Sequence, residues 1–175
     1  MSMVESQPAY SDARLLVVMG SSGCGKSTVG SALAQRLQAV FIEGDDYHSA
    51  ENKTKMQRSI ALTDSDRDPW LSELSKIMRN SNGIVVASCS ALKKAYRTKI
   101  SDGAGEPVLF IYLHGGSAIL AARLAARKDH FMSRDLLDSQ LATLEKPTLD
   151  EFAITINIDQ PVESIVDQIV DKISA

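Results

Sequence analysis

The sequence predicts an α/β domain, a three-layer sandwich in which a five-stranded parallel sheet is covered by helices on both faces. Two observations lead there. Short apolar runs alternate with helix-patterned stretches from end to end, and a crossover carrying a helix is what parallel strands require. The runs are also apolar without alternation, as strands buried on both faces must be.

The elements follow in order. Leu15-Leu16-Val17-Val18-Met19 reads as the first strand, and residues 27–37 as a helix with Val29, Leu33 and Leu37 on one side. A second strand is expected at 39–43, then a short helix over 47–58. A longer helix at 64–80 places Trp70, Leu71, Leu74 and Met78 on one face. Asn82-Gly83 turns the chain into a third strand at 84–87, followed by a basic helix over 91–100. The fourth strand is 108–113, with helices at 117–128 and 134–144 behind it. Pro147 precedes a fifth strand at 152–158. The last helix, 161–173, starts with Pro161 in its first turn, where a missing N–H costs little. Residues 1–13 are polar and read as a disordered leader, leaving 14–175 as a single domain.

Between the first strand and first helix lies Gly20-Ser21-Ser22-Gly23-Cys24-Gly25-Lys26-Ser27, which fits the phosphate-loop spacing G-x-x-x-x-G-K-[ST]. Glycines let the backbone curl so that amide N–H groups, through Thr28, point at phosphate oxygens, and the helix N-terminus adds partial positive charge. Lys26 then reaches the β- and γ-phosphates, and the Ser27 hydroxyl is placed to ligate Mg²⁺. ATP with Mg²⁺ is the expected cofactor pair.

Ligands of parallel sheets bind beyond the carboxyl ends of the strands. That rule gives weight to Asp45 and Asp46 after the second strand. Asp45 is favoured to accept a hydroxyl proton or to hold Mg²⁺ through water; one of the two has the alternative use of capping the next helix. His48, in the same loop, reads either as a substrate hydrogen-bonding group or as a structural histidine. After the third strand comes Ser90-Ala91-Leu92-Lys93-Lys94-Ala95-Tyr96-Arg97, where a helix start offers N–H groups to an anion and Lys93 and Arg97 share a face. Arg123 and Arg127, one turn apart, are placed to converge on nucleotide phosphates from a mobile lid.

The net charge of −3 gives no whole-chain nucleic-acid footprint, and no aromatic-basic platform is present. Two cysteines, Cys24 and Cys89, make neither a disulfide framework nor a zinc cluster and suit a reducing compartment. No apolar window long enough to span a membrane occurs, and the N-terminal segment lacks the apolar core of a secretory signal, so no membrane partner and a cytoplasmic location are expected.

From Leu15 to Ile173 the chain resembles the gluconate kinases, small P-loop kinases related in architecture to shikimate and nucleoside monophosphate kinases. The resemblance rests on Gly44-Asp45-Asp46-Tyr47-His48, on Asn52 with Lys55-Met56, and on Leu62-Thr63-Asp64-Ser65-Asp66-Arg67 followed by Pro69-Trp70-Leu71. It rests equally on Cys89 to Arg97, on Arg127-Lys128 with His130-Phe131-Met132, on Ser139-Gln140, and on Ile158-Asp159-Gln160-Pro161. It implies transfer of the ATP γ-phosphate to the terminal hydroxyl of D-gluconate, with Lys26, Asp45 and Arg127 catalytic and Asp45 the acceptor-side base. Arg67, Lys93, Arg97, His48 and His130 supply the cations and hydrogen-bonding groups that a carboxylate and a row of hydroxyls require. It further implies a homodimer. Closing segments are expected at 47–64 and 123–133. The other readings are a P-loop kinase for another small acceptor (shikimate, a nucleotide or another sugar acid) and a nucleotide-binding regulator without catalysis. The chain departs from the family pattern at Ser49, where proline is usual, near Ser59 and Ala61, where a glycine and a proline are usual, and at Asp129, where glycine is usual.

Overall fold

The computed structural model describes residues 6–127 and 133–175. The strands are β1 (Leu15–Met19), β2 (Val40–Glu43), β3 (Val85–Ser88), β4 (Val108–His114) and β5 (Ala153–Asn157). All pair in parallel, in the order β2-β3-β1-β4-β5. Central β1 places Leu15 opposite Val85 on one side and Val108 on the other. Successive side chains of a strand point to opposite faces. Leu15, Val17 and Met19 accordingly enter one core layer and Leu16 and Val18 the other.

The helices are α1 (Lys26–Leu37), α2 (Ala50–Gln57), α3 (Asp64–Asn80), α4 (Lys94–Ala104), α5 (Ser117–Ala125), α6 (Arg134–Thr143) and α7 (Val162–Ser174). Helices α3 and α4 pack Trp70, Leu71, Leu74, Met78, Tyr96 and Ile100 onto one face of the sheet. Helices α1, α5, α6 and α7 cover the other with Val29, Leu33, Leu120, Leu137, Ile165 and Ile169. The helices that follow β1 and β3 therefore leave to opposite faces although the strands are neighbours. The crevice between their carboxyl ends is the switch point where such sheets bind ligands.

The structure moves several expected boundaries. The helix expected over 47–58 divides into a 3-10 turn, Gly44–Tyr47, and α2, because the Ser49 hydroxyl accepts a hydrogen bond from Asn52 N and caps a new start. The helix expected from residue 91 begins only at Lys94, since Ala91 is held at φ 44°. Pro161 is the cap of α7 rather than part of its first turn. Part of the expected leader touches the body of the domain. Tyr10 forms a 3-10 turn with its neighbours and sets its ring 5.4 Å from that of Phe152, and Gln7 Nε2 donates to Asp150 O at 2.7 Å. An aromatic side chain gains by burial against β5, and the sequence signal for that was the single tyrosine. Among the described residues no helix is long and apolar enough to cross a membrane.

Candidate active site

The phosphate loop leaves β1 with Gly23 at φ 85°, a backbone conformation open to glycine, and a Cβ there would stand 2.9 Å from the Leu120 carbonyl oxygen. Lys26 Nζ donates to Ser21 O at 3.3 Å, folded back onto its own loop. Ser22 N donates to Gln140 Oε1 of α6 at 2.7 Å, which ties the loop to the far wall of the site.

Two recesses meet at this loop. One runs along the loop and α1 and is lined by Gly23, Gly25, Ser27, Glu43, Asp46 and Arg127. The other is walled by His48, Arg67, Trp70 and Ser90 on its polar side and by Met56, Ile60, Leu62 and Leu136 on its apolar side. Ser22, Lys26, Asp45 and Met56 line both. The first is the recess expected to take the nucleotide and the second the recess expected to take the acceptor, and their shared wall holds one cation, Lys26, and one carboxylate, Asp45.

Asp45 reaches that wall because Gly44 lets the chain after β2 pass against β3. A Cβ on Gly44 would lie 2.0 Å from Ser88 O, so only glycine fits the passage. Trp70 Nε1 donates to Gly44 O at 2.7 Å and fixes the turn. Asp46 faces only the first recess, which separates the two aspartates. His48 is buried and stacks on Trp70 with ring centroids 3.9 Å apart. Burial pushes its pKa below 6.5 against the pull of Asp45, and Arg67 and Lys53 push the same way, so the imidazole is neutral at pH 7.

The three cations expected to meet an acceptor carboxylate part company. Arg67 lines the acceptor recess and uses Nη1 to donate to Leu62 O at 2.8 Å and to Tyr96 Oη at 3.0 Å. Its Nε and Nη2 have no partner among the described residues. Lys93 lies outside the recess, paired with Asp64 at 3.1 Å, and Asp64 also accepts from the Tyr96 hydroxyl. Arg97 lines neither recess. Its side chain is buried in an ion pair with Glu151, and its remaining donors go to Ala91 O, Leu92 O and Glu145 O. The start of α4 is likewise filled from within, since Glu145 Oε1 accepts from Lys94 N at 3.1 Å. The anion foreseen for this basic helix start is the chain's own carboxylate, contributed by a segment about fifty residues later in the sequence, a pairing invisible to local pattern.

On the nucleotide side, Ser22, Gly23, Gly25, Lys26, Ser27 and Arg127 line the recess, while Gly20, Ser21, Cys24, Thr28 and Arg123 do not. Cys24 is buried beneath the loop, and Arg123 donates to Ile158 O at 2.8 Å. His130, Lys128 and Asp129 lie outside the described residues. The structure adds Glu43, Met56, Trp70, Ser90, Ser139 and Gln140 to the site. Trp70 had been assigned only a place in the core by its helical spacing.

A hydroxyl and carboxylates beside a phosphate loop are hard oxygen donors of the kind Mg²⁺ takes along with nucleotide phosphates. Ser27, Glu43, Asp45 and Asp46 offer such atoms on the first recess. The donor set fits the ion.

A family model described as shikimate kinase matches residues 22–174. A probable gluconokinase of Xenopus tropicalis is 44% identical, over 89% of this chain and 90% of that protein. The thermoresistant gluconokinase of Escherichia coli (strain K12) is 40% identical, over 93% and 94%. The chain belongs to the gluconokinase family. A crystal structure of a gluconokinase from Sinorhizobium meliloti 1021, 42% identical, superposes with a TM-score of 0.85 over 91% of each chain. A shikimate kinase from Bacteroides thetaiotaomicron, 17% identical with a TM-score of 0.65, shares the fold. The family assignment agrees with the two-recess geometry, because P-loop kinases of this fold use ATP as co-substrate and need a second site for the acceptor.

Proposed function

We propose that this protein is a gluconokinase that transfers the γ-phosphoryl group of ATP to the terminal hydroxyl of D-gluconate, giving 6-phosphogluconate. The observation that supports the reading is the wall shared by the two recesses, which Lys26 and Asp45 both line.

Phosphoryl transfer through a loose transition state asks a protein for in-line positioning and charge neutralisation. Loop amides and Lys26 hold the phosphates and take up charge on the γ-phosphoryl oxygens. Arg127, exposed on the same recess, adds a second cation. Asp45 accepts the hydroxyl proton as the oxygen attacks phosphorus. Arg67 receives the gluconate carboxylate through Nε and Nη2, and its clamped Nη1 fixes the direction of the fork. His48, neutral, hydrogen-bonds an acceptor hydroxyl. Mg²⁺, held by Ser27 and the neighbouring carboxylates, supplies neutralisation of phosphate charge when bound. Closure of residues 47–64 over the substrates keeps water from the γ-phosphate, and the second expected closing segment, 123–133, lies partly outside the described residues.

The protein acts as a homodimer in this reading. Its location is the cytoplasm, which suits two free buried cysteines. A kinase for shikimate or another sugar acid would use the same nucleotide side. A coupled ADP-release assay over gluconate, shikimate, nucleoside monophosphates and related sugar acids tests the choice. Gluconate is expected to give the highest kcat/KM, and turnover with another acceptor in its place would overturn the reading.

A further inference from the structure

Asn52 lies on α2, buried, one helical turn beyond His48 and out of both recesses. Its amide nitrogen Nδ2 donates to Asp66 O at 2.8 Å. A backbone carbonyl only accepts, so the orientation of this carboxamide is settled by chemistry: the atom facing Asp66 O is the NH₂ group. The same Nδ2 lies 3.3 Å from His48 Nδ1 and carries a second hydrogen for it. Two N–H groups cannot face each other there. His48 Nδ1 is therefore the lone-pair nitrogen, and the ring's single proton sits on Nε2.

Nε2 is the atom on the active-site side, 3.8 Å from Asp45 Oδ1. The Trp70 indole stacks on the ring at 3.9 Å and also donates to Gly44 O, so ring plane and carboxylate are referenced to one rigid group. We propose that Asn52 is a positioning residue that holds His48 in its Nε2–H form, so that the imidazole presents a donor to Asp45 and to the acceptor hydroxyl between them. With that donor in place, Asp45 is the group that takes the hydroxyl proton. The hydroxyl oxygen forms its bond to the γ-phosphorus as the bond from phosphorus to the β,γ-bridging oxygen breaks, and ADP leaves. In the opposite tautomer an Nε2 lone pair would face the carboxylate, repel it and compete for the same proton.

The charged groups facing the imidazole are Asp45, Arg67 and Lys53. An Nδ1 that faces the Asn52 N–H carries a lone pair, which excludes the imidazolium and leaves a neutral ring with its one proton on Nε2.

The proposal rests on the phosphotransfer reading above, and its first test is independent of turnover. Histidine-selective ¹⁵N NMR on the full chain at pH about 7.5, with His48 assigned by its absence in His48→Gln, is expected to show the proton on Nε2. In Asn52→Asp, whose carboxylate accepts from Nδ1–H, the pattern should invert. A lone pair on Nε2 in the unsubstituted protein overturns the proposal.

The second test separates tautomer control from packing. Asn52→Leu is expected to lower kcat with gluconate about tenfold while KM for ATP changes less than about twofold, within the range positioned proton-transfer groups supply. In a His48→Gln background the glutamine amide donates from the Nε2 position and has no tautomer to lose. There Asn52→Leu should change kcat less than about twofold. Equal losses in both backgrounds would reduce Asn52 to a structural bridge between α2 and Asp66. Where a variant fails to fold, the NMR result on the unsubstituted protein decides. Absence of gluconate turnover in the unsubstituted protein would overturn the proposed function and leave the tautomer result standing.

Discussion

Arg97 Nε donates to Glu151 Oε1 at 2.6 Å and Arg97 Nη2 to Glu151 Oε2 at 3.1 Å, a bidentate pair whose guanidinium is 2% exposed. The pair joins α4 to the segment entering β5, and Glu145 N donating to Leu92 O at 2.8 Å strengthens the seam. Removing one partner of a buried pair leaves the other charge unmatched, at a cost of about 3–5 kcal/mol. Arg97→Met is therefore expected to lower Tm by roughly 6–20 °C at the scale of a domain this size. KM for gluconate in the folded protein should stay within about twofold, because the side chain lies outside the acceptor recess. A raised KM with an unchanged melting curve would return Arg97 to the binding site.

The same pair sets a pH dependence. Burial raises the Glu151 pKa, but hydrogen bonds from Arg97 and from Thr148 N more than offset it, and the net shift is below the ordinary 4.5. A carboxylate with a depressed folded pKa contributes stability that is fully present above its unfolded value and lost as pH falls through the folded one. Stability from this group should hold above pH 4.5 and decline beneath it. In Arg97→Met the buried carboxylate loses its charged partner, only the Thr148 hydrogen bonds remain to oppose burial, and protonation then relieves the strain. Urea melts at a series of acid pH values should show the difference between the two proteins narrowing as pH drops. A constant difference would contradict the assignment.

Asp45 tests the chemistry. Asp45→Asn keeps the shape of the side chain and removes its basicity. A drop in kcat of about 10²–10⁴ is expected, with ATP affinity measured by fluorescent-nucleotide displacement nearly unchanged. Unchanged turnover would take Asp45 out of the mechanism. Asp46, confined to the nucleotide recess, should tolerate the same change with a smaller loss of turnover.

Arg67 and Lys93 test the acceptor. They share Tyr96, lying 5.3 and 5.6 Å from its ring centroid, yet only Arg67 opens on the recess. Arg67→Met should raise KM for gluconate about tenfold or more, the worth of a charge-assisted pair to a carboxylate. Lys93→Met removes a surface ion pair between a half-buried lysine and an exposed carboxylate, and the expected change is less than about threefold. Equal effects on KM would mean that both cations meet the substrate.

What the sequence revealed follows from range. The phosphate loop and the doubly covered parallel sheet are local or nearly so: Gly20–Ser27 carries its own geometry, and the continuous apolar runs of β1 and β4 announce burial on both faces. Asp45 stands out in the sequence because a strand end is where ligands bind, and the structure puts it on the wall of both recesses. Arg97 misled because its spacing from Lys93 is that of a cationic face, while its partner Glu151 lies 54 residues away and no local periodicity encodes that contact. Gln140 and Trp70 enter the site by tertiary packing alone. Ser49 replaces an expected proline and is legible afterwards as a cap.

Ser59 offers the cleanest test of a departure. It ends α2 at φ 59°, the left-handed region, near the place where the family pattern usually carries glycine. A non-glycine residue there costs about 1–2 kcal/mol, against roughly 0.5–1 kcal/mol of extra chain entropy that glycine loses on folding. The side chain is exposed and makes no hydrogen bond among the described residues, so nothing else is lost on removing it. Ser59→Gly should stabilise the protein by about 0.5–1 kcal/mol, a rise in Tm of roughly 1–4 °C in calorimetry. Ser59→Val, a β-branched residue that disfavours positive φ still more, should shift Tm the other way. If both substitutions move Tm in one direction, backbone strain at residue 59 is not what sets the stability of this turn.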